Sequence, residues 1–165
     1  FHVFVRGSKT ISSRNSGARF LLTRSFSDSN RHIIEKLNER FDGAYKLLGD
    51  LEHEKVLNLH SRSCAVLFPS VWEEPLPYVV LEAMLAGTIP VASKIGGVPE
   101  IVEGTFAATM MFEPSNVEDF IDRMESLLAM SNDRIMNTGF GLREAVLEKF
   151  DPEITKEKLT SVFLS

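Results

Sequence analysis

The sequence predicts an α/β domain, a parallel sheet with helices on both faces. Three observations predict it. From Asn30 onward, apolar runs of strand length alternate strictly with segments of helical period, as in repeated strand–helix–strand units. One run, "CAVLF" at 64–68, is continuously apolar, as expected of a strand covered on both faces. Residues of cap and stop type (Asp50, Gly87, Ser115, Asp151) stand where one period gives way to the next.

The elements follow in order. "FHVFV" alternates like a strand from the first residue, which reads as a piece of a longer polypeptide. Eleven Ser/Gly/Asn-rich residues, "SKTISSRNSGA", then precede a second apolar run, "RFLLT". So short a polar connection predicts a long-looped hairpin rather than a parallel crossover, and sets 1–27 apart as an atypical strand and loop segment. In "NRHIIEKLNERF", Ile33, Ile34, Leu37 and Phe41 share one helical face. "AYKLLGD" is a short strand, and Asp50 is placed to cap a helix running to about Arg62.

After "CAVLF" comes a helix near 77–86, stopped by Gly87, and then the strand "TIPVAS". "GGVPEIV" (96–102) is a turn and short helix, and "TMMF" (109–112) a strand. Ser115 and Glu118 make a capping box for a helix whose Val117, Phe120, Ile121, Met124, Leu127 and Leu128 recur at helical spacing. A helix over 132–149 and a last one, capped by Asp151 with Pro152 first and carrying Leu159, Val162 and Phe163, complete the chain.

With 165 residues, 44% apolar and 25% charged, the chain fits one domain over a single core. No apolar run reaches the ~18 residues that span a bilayer. Cys64, among apolar neighbours, reads as a buried thiol and excludes an internal disulfide, fitting a reducing, cytoplasmic setting. Net charge is −5, yet residues 1–40 hold eight Lys/Arg against three acids. That segment can be a solvated face or meet a phosphate, while the overall acidity argues against nucleic acid as partner. The four histidines (His2, His32, His53, His60) are scattered, without metal-ligand spacing.

Parallel sheets bind ligands at the carboxyl ends of their strands, so the chemistry belongs in the loops after "YKLLG", "CAVLFPS", "PVAS" and "TMMF". In "PSVWEEPLPYVVLEAMLAG", a helix opening near Pro77 turns its free N–H groups and positive dipole end toward that cleft, an anion site. Glu74 precedes this helix and Glu82 lies within it. Two carboxylates so placed can hold polyols on either side of a phosphate, though the spacing alone favours a helix-terminal charge and a surface glutamate, since Glu pairs on helices are common. Gly96 and Gly97 allow either a tight turn or a close backbone approach to a ligand. Trp72 can pack or stack.

The string "FPSVWEEPLPYVVLEAMLAGTIPVASKIGGVPEIVEG" resembles the signature of retaining glycosyltransferases of the group 1 (family 4) type. The matching residues include Pro69, Ser70, Glu74, Leu81, Glu82, Ala83, Met84, Gly87, Pro90, Val91, Ala92, Gly96, Gly97, Glu100, Ile101 and Val102. The resemblance extends from about Tyr45 to the C-terminus, taking in "FEPSNVEDFIDRMESLL".

It implies a Rossmann-like domain, the C-terminal, donor-binding half of a GT-B fold, with 1–165 as a single nucleotide-sugar-binding domain of a longer two-domain enzyme. Glu82 would bind the nucleotide ribose, and Glu74, the candidate catalytic residue, the hydroxyls of the transferred sugar. Backbone groups of Leu76, Tyr78 and Val79 would hold the sugar or diphosphate, Gly49 would lie near the base, and Gly96 and Gly97 would border the donor. The substrate would be a nucleoside-diphosphate sugar, with no metal and no other cofactor. The acceptor, a glycan or lipid, would be held by an N-terminal domain, and a lipid acceptor would bring the full-length protein to the inner membrane surface.

Two departures stand out. The family's "G-F-G" after the first glutamate is Pro75, Leu76, Pro77 here, and proline has no N–H to give. The family's diphosphate-binding Arg and Lys have no clean equivalent; Arg6 and Lys9 are the nearest candidates. Two other functions fit parts of the pattern: a non-catalytic nucleotide-sugar-binding or regulatory module, and a GT-B enzyme that epimerises or phosphorolyses.

Overall fold

Five short strands, every pair of them parallel, organise the described residues, 1–151 of the computed structural model. The chain runs α1 (His2–Arg14), β1 (Phe20–Thr23), α2 (Asp28–Arg40), β2 (Tyr45–Gly49), α3 (His53–Ser61), β3 (Ala65–Phe68) and α4 (Tyr78–Leu85). It continues through β4 (Ile89–Ser93), α5 (Val98–Val102), a 3₁₀ turn (Phe106–Met110), β5 (Met111–Phe112), α6 (Val117–Leu128) and α7 (Asn132–Lys149). β1 pairs with β2 in a two-stranded sheet, and β4 lies between β3 and β5 in a second, three-stranded one. Helices pack on both faces: α1 against α6, and α4 against α3 and α7.

β4 is the strand covered on both faces, with all five residues buried. Its Pro90 stands opposite Val66 of β3, while β5 joins only at Ala92 and Ser93. On the β5 side the missing N–H of Pro90 therefore faces no ladder partner, which reconciles proline with an inner strand. Phe112 and Phe120, both buried, meet edge to face with ring centroids 5.2 Å apart, a favoured aromatic geometry.

α4 ends as the sequence predicts. Gly87 takes φ 73°; its N–H bonds the Met84 carbonyl at 3.0 Å and that of Thr88 the Ala83 carbonyl at 2.8 Å. This is a Schellman motif, which needs a left-handed residue at that position.

The N-terminal segment departs from the expectation. "FHVFVRG" is not the first strand of a hairpin but the start of α1, and "RFLLT" pairs in parallel with β2. The buried positions Val3, Phe4, Gly7, Ser8, Ile11 and Ser12 recur at helical spacing. Half of that buried face is Gly or Ser, so hydrophobicity alone does not display it. A Cβ at Gly7 would run into the ring of buried Phe120, which is how α1 approaches α6 so closely. Phe4 meets Phe20 edge-on at 5.7 Å, Phe20 stacks on Tyr45 at 5.1 Å, and the Tyr45 hydroxyl bonds Ser12 Oγ at 3.0 Å.

Several smaller expectations are also corrected. Asp50 does not cap α3; its carboxylate accepts from the Ser25 N–H at 3.1 Å and from the Ser25 hydroxyl. α6 is capped not by Ser115, which takes φ 64°, but by Asn116, whose Oδ1 accepts from the Asp119 N–H at 3.1 Å. Cys64 is exposed rather than buried, since β3 pairing begins one residue later. Within β3 only Val66 is fully buried. Residues 106–110 form the 3₁₀ turn, leaving two residues of the "TMMF" run as β5. The helix expected from Asp151 and Pro152 lies outside the described residues.

Candidate functional site

Within each sheet the strands are parallel, so their carboxyl ends emerge on one edge of it. β2 ends there at Gly49, in the left-handed region at φ 70° and beside open space. β3 ends at Phe68 and leads into the loop 69–77; β4 ends at Ser93 and leads into the turn at Gly96 and Gly97.

The loop 69–77 is exposed along 71–76 and delivers α4. Pro77 is the N-cap, with no side-chain cap bond, and its carbonyl accepts from the Val80 N–H at 3.0 Å. The first N–H groups of a helix, here those of Tyr78 and Val79, have no intrahelical partner and lie at the positive end of the helix dipole. Tyr78 and Leu76 are exposed and Val79 half-buried. Glu74, exposed, stands just ahead of this turn, and Glu82 lies one turn after Tyr78 on the same face of α4. Trp72 is 78% exposed, so it is not packed into the core.

Gly96 and Gly97 permit a close backbone approach, and what approaches them is the loop carrying Glu74. The Gly97 N–H bonds the Glu74 carbonyl at 2.9 Å. A Cβ at Gly96 would lie 2.8 Å from Glu74 N, and one at Gly97 2.8 Å from the Pro75 carbonyl carbon. Gly96 also has φ 54°. The two glycines thus act through Glu74, seating its loop against the end of β4.

Glu82 has a partner that sequence reasoning passed over. His53, the first residue of α3, places Nε2 2.7 Å from Glu82 Oε1, with the side chains 69% and 24% exposed respectively. His60 follows two turns later, buried, with Nδ1 unbonded among the described residues. Burial lowers the His60 pKa below the usual imidazole range; Glu82 opposes the shift and His53 adds to it. The signal in the sequence was the spacing of seven between the histidines, two helical turns, which puts both on one face of α3.

Other groups are less engaged. Lys94, after β4, reaches Glu113 at 3.5 Å across exposed surface. Arg6 and Lys9 lie exposed on α1, away from its buried stripe. Among the described residues no cluster of three His, Cys, Asp or Glu is placed to hold a metal.

Parallel strands with helices on both faces define an α/β domain of the Rossmann-like class. The chain belongs to the glycosyl transferases group 1 family, whose model matches residues 32–138. It is 30% identical over 121 residues to the alpha-maltose-1-phosphate synthase of Mycolicibacterium smegmatis, covering 71% of this chain and 31% of that protein. The fold is that of GT-B glycosyltransferases. TarM of S. aureus, solved in a complex that includes UDP, superposes with a TM-score of 0.81 at 21% identity, over 99% of this chain and 32% of that one. HepE of Anabaena, solved with UDP-glucose, gives 0.76 at 18% identity, over 98% and 44%. The chain spans about a third of the length of the curated relative, 31%.

Proposed function

We propose that this chain binds a nucleoside-diphosphate sugar at the carboxyl ends of its strands, as the donor half of a two-domain hexosyltransferase. The observation that carries the proposal is the start of α4: no side chain caps it, Glu74 precedes it and Glu82 follows one turn in. In this reading the α4 dipole and the N–H groups of Leu76, Tyr78 and Val79 hold the diphosphate or sugar. Glu82 takes the ribose hydroxyls and Glu74 those of the transferred sugar. Gly49 borders the base, and Gly96 and Gly97 keep Glu74 in place. The UDP and UDP-glucose of the structural relatives support this ligand class.

Transfer would proceed with retention to a glycan or lipid acceptor held by a second domain, in the cytoplasm or at the inner membrane surface. Stabilisation of the departing diphosphate would carry most of the acceleration, with no metal required. The isolated chain is then expected to bind donor without turning it over.

A second reading, a non-catalytic nucleotide-sugar-binding module, draws on Pro75 and Pro77, which remove two N–H donors from the loop. Calorimetric titration with UDP, GDP, ADP and their sugar derivatives tests both. Absence of binding by all of them sinks both readings, since each requires the donor. Hexosyl transfer by the full-length protein, abolished by Glu74→Ala, would exclude the non-catalytic reading.

A further inference from the structure

Glu82 is held before any ligand arrives. Its carboxylate can only accept hydrogen bonds when ionised, so the proton in the 2.7 Å contact belongs to His53 Nε2. The distance is that of a charge-assisted bond. The two residues come from different helices, α3 and α4, which follow β2 and β3, so the contact ties together two loops of the proposed cleft. Beneath it, His60 presents a second imidazole from the same face of α3, buried and with Nδ1 unbonded among the described residues.

We propose that His53 is a positioning residue for ribose recognition: its Nε2–H fixes Glu82 Oε1 and leaves the rest of the carboxylate for the two ribose hydroxyls. The inference rests on the reading of Glu82 as the ribose ligand. A carboxylate offers about four acceptor sites; His53 takes one, and a vicinal diol needs two. His53 and the diol are therefore compatible partners rather than competitors. A flexible glutamate already fixed in its bound rotamer loses less freedom on binding, and preorganisation of this kind raises affinity without a new ligand contact.

The test is calorimetric titration of the chain with whichever of UDP, GDP or ADP binds best, beside its 2′,3′-dideoxy analogue. His53→Ala is expected to weaken binding of the ribonucleotide about tenfold. His53→Gln, whose amide keeps an N–H donor, is expected to recover most of that loss. The dideoxy analogue, with no diol to bind, should bind His53→Ala and wild type equally. His53 is 69% exposed, so both variants should keep the wild-type melting temperature.

Unchanged or tighter ribonucleotide binding by His53→Ala, beside a clear loss in Glu82→Gln, overturns the inference and leaves the donor reading standing. An equal loss for both nucleotides overturns it too, since that would be a general effect on the cleft. If the wild type binds none of the three nucleotides, the donor reading falls and the inference falls with it.

Discussion

Replacing Gly97 with alanine adds one methyl group where the backbone of another loop already lies. That methyl carbon would sit 2.8 Å from the Pro75 carbonyl carbon, against 3.4 Å for the near edge of ordinary contact, and nearer still to the carbonyl oxygen. The obstacle is backbone, so no rotamer change relieves it, and because the carbonyl oxygen is nearer still the loop must retreat by about 1 Å or more. The retreat strains the 2.9 Å bond from the Gly97 N–H to the Glu74 carbonyl, whose net contribution is about 0.5–1.5 kcal/mol. It also moves Glu74, and a carboxylate's hydrogen bonds to a ligand are worth about 1.5–3 kcal/mol.

Gly97→Ala should therefore bind a nucleotide sugar about 10- to 100-fold more weakly. If, as proposed, Glu74 serves the sugar and Glu82 the ribose, the bare nucleoside diphosphate should lose much less. Paired calorimetric titrations of wild type and variant, with UDP and UDP-glucose, measure both. Equal losses for the two ligands, or undiminished binding of UDP-glucose, would refute the role given to the glycine.

Three further outcomes are expected. A Cβ at Gly139 of α7 would press on the Gly87 backbone, 2.9 Å from its carbonyl carbon, so Gly139→Ala should destabilise by about 1–3 kcal/mol; thermal melting would show this as a drop of about 2–4 °C per kcal/mol. Phe120→Ala empties the fully buried site between α1, α6 and β5 and should cost about 3–5 kcal/mol in urea unfolding. The lowered pKa of His60 means that the unfolded chain takes up its proton more readily than the folded one. Its contribution to stability is thus present above about pH 6.5, the ordinary imidazole value, and is lost as pH falls below it. Urea midpoints at pH 7.5 and 5.5 should diverge less in His60→Gln than in wild type, and an identical divergence would rule out this assignment.

Most of the fold from residue 28 onward was legible because long apolar periods survive local noise. The α6 stripe of Val117, Phe120, Met124 and Leu127 is buried as its spacing predicts, and Gly87 stops α4 where a left-handed residue was needed. α1 was not legible, because its buried face includes the small residues Gly7, Ser8 and Ser12, of which Gly7 meets Phe120 of α6 and Ser12 bonds Tyr45. The five residues "FHVFV" alternate by accident at period two, while the wider stripe from Val3 to Ser12 is helical. Caps failed for a different reason. Asp50 and Ser115 are each competent to cap, but Asp50 is drawn to Ser25 and the adjacent Asn116 caps in place of Ser115. In the candidate site, Glu74 and Glu82 stand out in the chain because they precede and enter a predicted helix. For His53 the seven-residue spacing from His60 marks a shared face of α3, but not the partner 29 positions away that gives it its place.

The two prolines in "EEPLPYVVLEAM" change meaning once placed. In the sequence they look like damage to a donor loop, because each removes an N–H where a diphosphate-binding turn would offer one. In the fold, each occupies a position with a task that asks for no N–H. The Pro75 carbonyl group lies against Gly97, and Pro77 is the N-cap of α4, with its own carbonyl accepting from Val80. A ring that fixes φ at these two points stiffens the approach to the helix. It leaves Leu76, Tyr78 and Val79 as the residues that still carry N–H groups. The loop thus has a fixed entry into α4, which suits a proposed cleft whose glutamates are already seated by Gly97 on one side and His53 on the other.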